Sequence, residues 1–369
     1  MLHYDIVGLN VLLISRELGL GGTERQLAET ALALDRSIFE PHVGCFSDGG
    51  FRAAELHAAG VPVLQLGVRS FANASALAGA RRLAAYMAQH RIELVHAFDV
   101  PADLFAVPVA RFCRTRAVLS SQRASRALIS GTTRRLLRVT DRLAHGIVVN
   151  SKAVARELVA EDEVPEARIR LVYNGIDTAR FRREGDRAAL PFPAGAIVIG
   201  VVCALRPEKD LKTLLAAFAK VRPLHPDARL VIVGSGPELP ALQSLAGENC
   251  HFFPAVQDVA PWLRAIDVFV LPSLSEALSN SLMEAMACGC CPVASDVGGN
   301  PELVADGESG LLFTAGDVGS LAGRLMALLN DPAQRQRLAA NAAARMHTSF
   351  TREAAARKMG DVYREFLDA

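Results

Sequence analysis

The sequence predicts an α/β protein built from two doubly wound domains, each a parallel sheet covered by helices. Three observations carry that reading. The chain has 369 residues, too many for one ordinary core and about right for two domains. Short runs rich in Val, Ile and Leu alternate with longer segments of helical periodicity, the pattern left by strands buried on both faces under crossover helices. The alternation also runs through two comparable series with a turn-rich, charged stretch between them.

The first series places strands at Asn10–Ile14, Pro41–Cys45, Val61–Leu66, Leu94–Ala97, Ala117–Ser120 and Gly146–Val149. The stretch Leu171–Phe181 (LVYNGIDTARF) then carries an Asn174-Gly175 turn, followed by a charged segment and PFPAG, and reads as a domain join. The second series places strands at Ile197–Cys203, Arg229–Val233, His251–Phe253, Val268–Leu271, Cys291–Ala294 and Gly310–Phe313. A tail with helical spacing, Thr351–Leu367, presents an apolar face to pack on the body. The expected division is an N-terminal domain over residues 1–178, joined by the tail helix 351–369, and a C-terminal domain over 179–350.

Lys and Arg total 40 against 39 Asp and Glu, a balance that does not argue for nucleic acid as a partner. The start MLHYDIV lacks a basic segment leading into a long apolar core, and no run approaches 18 apolar residues, so a cytoplasmic protein is expected. Seven scattered cysteines read as reduced thiols. Cys288, Cys290 and Cys291 lack a second ligand pair at zinc spacing and read as structural.

Glycine-rich turns and charged pairs fall where strands end. GLGGTERQL brings Gly22 to a helix start, with Thr23 and Gln26 at capping-box spacing; it suits either an anion contact or a tight turn. CALRPEKD sets Arg206 and Lys209 just before the helix Leu211–Val221, a receptor for a diphosphate or an exposed basic loop. VIVGSGP ends a strand at Gly234. PSLSEALSNSLMEAMACG is the most informative stretch. Glu276 lies on its loop, a helix starts near Ser279–Ser281, and Glu284 follows, with Ser281 and Glu284 at capping-box spacing. Two carboxylates with free amides between them can hold sugar hydroxyls, phosphate and ribose.

Together with SDVGGNPELV, this chain resembles the family-four retaining glycosyltransferases of the GT-B fold, glycosyl transferases group 1. The likeness runs through GGTE, YNGIDTARF, RPEK, VGSGP, DVFVLPS, a glutamate and a second glutamate after seven residues, SDVGGNPELV and GLLF. It implies two Rossmann-like domains facing across a cleft and transfer from a UDP- or GDP-linked sugar to a glycan or lipid-linked hydroxyl acceptor of envelope assembly. Glu276 is then expected against the transferred sugar and Glu284 on the ribose. Ala277, Asn280 and Ser281 fall to sugar and diphosphate, and the backbone at Val256 to the base. His96, in VHAFD, corresponds to a histidine facing the sugar.

The chain departs from the family pattern at three places. Ala204 stands where an arginine is usual, which moves that role to Arg206, and Ala277 and Ser279 replace a glycine and a proline or glycine, which bears on the choice of sugar. There is no Asp-x-Asp motif, so neither a metal nor a cofactor beyond the donor is expected. Arg111–Arg142 carries nine arginines and one aspartate with Leu136, Leu137, Val139 and Leu143 interleaved; it fits an anionic membrane surface at the inner face or a solvated helix equally. An epimerase of the same architecture, a nicotinamide-dependent oxidoreductase and a silent sugar-nucleotide binder are the rival classes.

Overall fold

The computed structural model describes residues 8–47 and 50–368. The opening residues 1–7, read above for a leader, lie outside the described residues. The chain divides into two units, Met1–Gly175 with Arg352–Ala369, and Ile176–Thr351.

The first unit holds seven parallel strands: β1 (Leu9–Ser15), β2 (Phe39–Cys45), β3 (Val63–Gln65), β4 (Leu94–Ala97), β5 (Ala117–Gln122), β6 (Gly146–Val149) and β7 (Ile169–Leu171), in the order β3-β2-β1-β4-β5-β6-β7. Alternation along β1 divides the core. Val11 and Leu13 join one apolar cluster with Leu27, Phe39 and Tyr363, while Leu12 and Ile14 join the other with Leu83, Val95 and Ala106. The tail forms the helix Arg352–Asp368, which buries Met359, Val362, Tyr363 and Leu367 in the first cluster. Strand β7 was not expected from the sequence. It has three half-buried residues with Arg170 at the centre, so it shows no apolar run.

The second unit holds β8 (Ile197–Val202), β9 (Ala228–Val233), β10 (Cys250–Phe253), β11 (Val268–Leu271), β12 (Cys291–Ser295) and β13 (Leu311–Phe313), parallel and in the order β10-β9-β8-β11-β12-β13. The helix Leu211–Val221 buries Leu211, Leu214, Leu215, Phe218 and Val221. Cys288, Cys290 and Cys291 are core residues, and burial pushes the thiols of Cys288 and Cys291 up to about 12. Among the described residues no helix is long and apolar enough to cross a membrane.

Candidate functional site

In the second sheet β8 and β11 are neighbours, and the chain leaves them toward opposite edges. Open parallel sheets bind ligands beyond the carboxyl ends of strands at such a reversal. After β8, Arg206 is exposed and starts a 3-10 turn at Pro207–Lys209, and Asp210 at φ 45° swings the chain into the helix Leu211–Val221. The amide of Leu274, after β11, donates to the carbonyl of Glu208 at 2.9 Å and fastens the two loops together.

That tie sets Lys209 against Glu276. The ammonium donates to Glu276 Oε1, and the Ser273 hydroxyl donates to the same oxygen at 2.9 Å. The Lys209 and Glu276 side chains are only 19% and 10% exposed, so the pair is largely shielded. Shielding strengthens the attraction and makes loss of either partner costly. Ser273 was not singled out from the sequence as a partner of Glu276; its three-residue spacing from Glu276 was the available signal.

The end of β12 and the loop after it pack against the backbone of the Glu276 loop. Ser295 donates its hydroxyl to the Ser273 carbonyl at 2.6 Å, and Asn300 Nδ2 donates to the Ser295 carbonyl at 3.0 Å. Gly298 has φ 54°, and a Cβ there would stand 1.6 Å from the Glu276 carbonyl oxygen; one at Gly299 would stand 2.1 Å from that of Ala277. The glycines of SDVGGNPELV are therefore required by backbone packing against the Glu276 loop.

The helix Asn280–Ala287 starts from Ser279, whose hydroxyl accepts the Leu282 amide at 3.3 Å. The expected Ser281–Glu284 capping box is thus corrected: the cap lies two residues earlier, and Glu284, only 2% exposed, sits in the second turn instead of at the third helical position. Asn280 and Ser281 occupy the first two helical positions, where amides have no partner within the helix.

After β9, Gly234 has φ 156°, and a Cβ there would be 1.9 Å from the Cys203 carbonyl oxygen. The Leu205 amide donates to Ser235 at 3.0 Å, and the Ala255 amide donates to Ser235 Oγ at 3.2 Å, which brings the half-buried Val256 segment to the same edge. Burial pushes Cys203 up to about 12, with the Lys209 charge pulling the other way. Arg206, Lys209, Gly234, Val256, Glu276, Ala277, Asn280, Ser281 and Glu284 all lie on segments that follow strands at one sheet edge. Lys209 and Glu276 are in ionic contact with each other; Arg206 pairs with no carboxylate among the described residues.

In the first unit Gly22 opens the helix Gly22–Ala33 and is exposed. The expected Thr23–Gln26 capping box is corrected. Gly21 is the cap and has no side chain, while Gln26 is buried and exchanges hydrogen bonds with Gly175 at 2.9 and 3.0 Å. His96 is fully buried. Its Nδ1 meets the Tyr363 hydroxyl at 2.8 Å and its Nε2 the Ser121 hydroxyl at 2.8 Å. Burial, with Arg123 nearby, holds its pKa well below the ordinary 6.5. The sugar contact expected of His96 needs an available ring nitrogen, and the protein occupies both. The basic stretch is also smaller than its arginine count: Arg126 forks onto Asp141 at 2.7 and 2.9 Å, Arg134 and Arg138 pair with Asp162, and Arg116 with Glu93.

The family model described as Glycosyltransferase Family 4 matches residues 20–180, and that described as Glycosyl transferases group 1 matches residues 182–345. The chain belongs to the family-four, group 1 glycosyltransferases. Among its relatives, D-inositol 3-phosphate glycosyltransferase of Streptomyces avermitilis is 32% identical over 61% of this chain and 53% of the relative. The enzyme of the same name from Mycolicibacterium vanbaalenii is 32% identical over 69% of this chain and 61% of its own length. The chain therefore spans only 53% to 61% of these relatives. The crystal structure of Anabaena HepE in complex with UDP-glucose matches with a TM-score of 0.84 at 21% identity, covering 96% of this chain and 99% of that one. Sucrose-phosphate synthase from Thermosynechococcus elongatus matches with a TM-score of 0.81 at 22% identity, covering 98% and 99%. These likenesses establish the GT-B type of fold, two Rossmann-like parallel-sheet units, for this group 1 glycosyltransferase chain.

Proposed function

We propose that the chain transfers a sugar from a UDP- or GDP-linked donor to a hydroxyl acceptor with retention of configuration, and that residues 179–350 bind the donor. The observation that carries this reading is the shielded Lys209–Glu276 pair with Ser273 at the β8/β11 reversal. Arg206 and Lys209 offset charge on the departing diphosphate, joined by amides at Asn280 and Ser281. Fixed donors aimed at developing charge are commonly the largest contribution to such catalysis. Glu276 faces the transferred sugar beside Ala277, Glu284 holds the ribose, and Gly234 and Val256 border the nucleotide. Gly22 offers a helix-start amide from the first unit, and His96 acts there as a positioning group through Ser121 and Tyr363. The arginine and lysine supply the charge for which a divalent ion would otherwise be used, so transfer proceeds without metal.

Residues 1–178 with the tail helix bind the acceptor, a glycan or lipid-linked hydroxyl of envelope assembly at the cytoplasmic face. Leu128, Leu136 and Val139 are 57%, 52% and 53% exposed beside the exposed Arg135 and Arg142, a surface suited to an anionic membrane. A thermal-shift screen of UDP, GDP, UDP-glucose and GDP-mannose tests the donor reading. A ligand at 100 times its Kd stabilises the folded state by about 2.7 kcal/mol. One nucleotide series is expected to raise the unfolding temperature; no shift with any of the four overturns the reading.

A further inference from the structure

A second site lies in the first unit. A cavity of about 1060 Å³ opens where β1, β2 and β3 end and where Pro101 follows β4, beside the β1/β4 reversal of the sheet. Its volume matches the upper range of small-molecule pockets. The charged side chains lining it are Arg16, Arg69, Arg82 and Glu17, and among the described residues none of the three arginines is paired with a carboxylate. Three guanidinium groups outnumber the single Glu17 carboxylate in the cavity, and guanidinium groups not engaged in a salt bridge match the geometry of phosphate oxygens, which they bind through paired N–H donors.

The backbone holds these arginines in place. Arg16 donates its amide to Asp99 Oδ2 at 2.7 Å and accepts the Phe46 amide at 2.9 Å. Arg82 Nη1 donates to the Gln65 carbonyl at 3.2 Å and lies over Gly67, where φ is 65° and a Cβ would be 2.8 Å from that nitrogen. The Arg69 amide donates to Ser75 Oγ at 3.0 Å, close to the start of the helix Ala74–Gln89, whose dipole adds positive potential at the same wall. Phe71 also lines the cavity. It is 51% exposed, yet its ring stacks on Phe105 at 6.2 Å and 3° and meets Phe46 edge-on at 6.0 Å. An aromatic ring fixed in place and left open beside three cations suits a ligand with an apolar portion next to its charge.

We propose that this cavity binds the phosphoryl group of a phosphorylated acceptor through Arg16, Arg69 and Arg82, with Phe71 against the adjoining apolar portion. The proposal rests on the transferase reading for the word acceptor alone. Isothermal titration of the full chain with geranyl diphosphate, glucose 6-phosphate and geraniol tests it, in the wild type and in an R69A/R82A variant whose substitutions fall on exposed residues. A phosphorylated ligand is expected to bind and geraniol not to. Loss of two charge-assisted contacts should weaken that binding about tenfold or more, while affinity for the nucleoside diphosphate found in the thermal screen stays unchanged.

Preference for geranyl diphosphate, reduced by Phe71→Ala, assigns the site to a lipid-linked phosphate. Preference for glucose 6-phosphate assigns it to a soluble sugar phosphate. Absence of binding by either phosphorylated ligand, equal binding of geraniol, or unchanged affinity in the double variant overturns the proposal. Failure of every nucleoside diphosphate to bind, with geranyl diphosphate still bound, would remove the transferase reading and leave the phosphoryl site standing.

Discussion

Glu276 Oε1 receives both the Lys209 ammonium and the Ser273 hydroxyl, so the carboxylate is oriented before any ligand arrives. The two glutamates and the lysine were legible because motif spacing is local. His96 was legible as a strand-end residue but not as a buried one, since its partner Tyr363 lies 267 residues away. That burial has a pH consequence. The unfolded chain protonates this ring near 6.5, while the folded protein holds its pKa well below that value. Below 6.5 the unfolded state therefore binds more protons, and the stability His96 contributes is lost as pH falls, by up to about 1.4 kcal/mol per pH unit. Thermal midpoints measured from pH 7 to pH 5 are expected to fall less steeply in His96→Gln than in the wild type. Identical slopes would show that His96 is not the group responsible.

At the level of elements, strands were the most legible feature: Leu94–Ala97, Gly146–Val149 and Val268–Leu271 match the sequence reading residue for residue. Their burial leaves an uninterrupted apolar run in Gly146–Val149 and Val268–Leu271 and one broken only by His96 in Leu94–Ala97, whereas β7 at the sheet edge leaves none. Helix starts were less legible. Gln26 and Glu284 stand at capping-box spacing, but Gln26 is engaged by the distant Gly175 and Glu284 lies beyond the first turn. Loop-on-loop packing makes a sharp element-level expectation. Gly298→Ala drives a Cβ into the Glu276 carbonyl at φ 54°, while Gly323→Ala, inside the helix Val318–Asn330, meets nothing within 4 Å. The first should destabilise by about 1–3 kcal/mol and weaken nucleotide binding; the second should be neutral or stabilising by up to about 1 kcal/mol. Denaturant unfolding of both variants checks this, and equal effects would contradict the packing account.

For the molecule as a whole, the chain builds the first unit, builds the second, and returns its final helix to the first. Tyr363 fastens that return: it is fully buried, meets Phe39 edge-on at 5.9 Å and holds His96. Tyr363→Ala should cost about 3–5 kcal/mol of first-unit stability, seen as an earlier unfolding transition; an unchanged unfolding profile would mean that the tail does not support the core. The near balance of 40 basic and 39 acidic residues leaves recognition to local clusters such as the Lys209–Glu276 edge. The central claim is that this edge activates a nucleotide sugar. Its most direct test is the rate of nucleoside diphosphate release from the sugar nucleotide that stabilises the protein most, compared between wild type and Lys209→Ala. The expected result is a fall of about 100- to 1000-fold in protein that is still folded, even where stranding Glu276 without its cation lowers the unfolding temperature; near-normal release by the folded variant would contradict it.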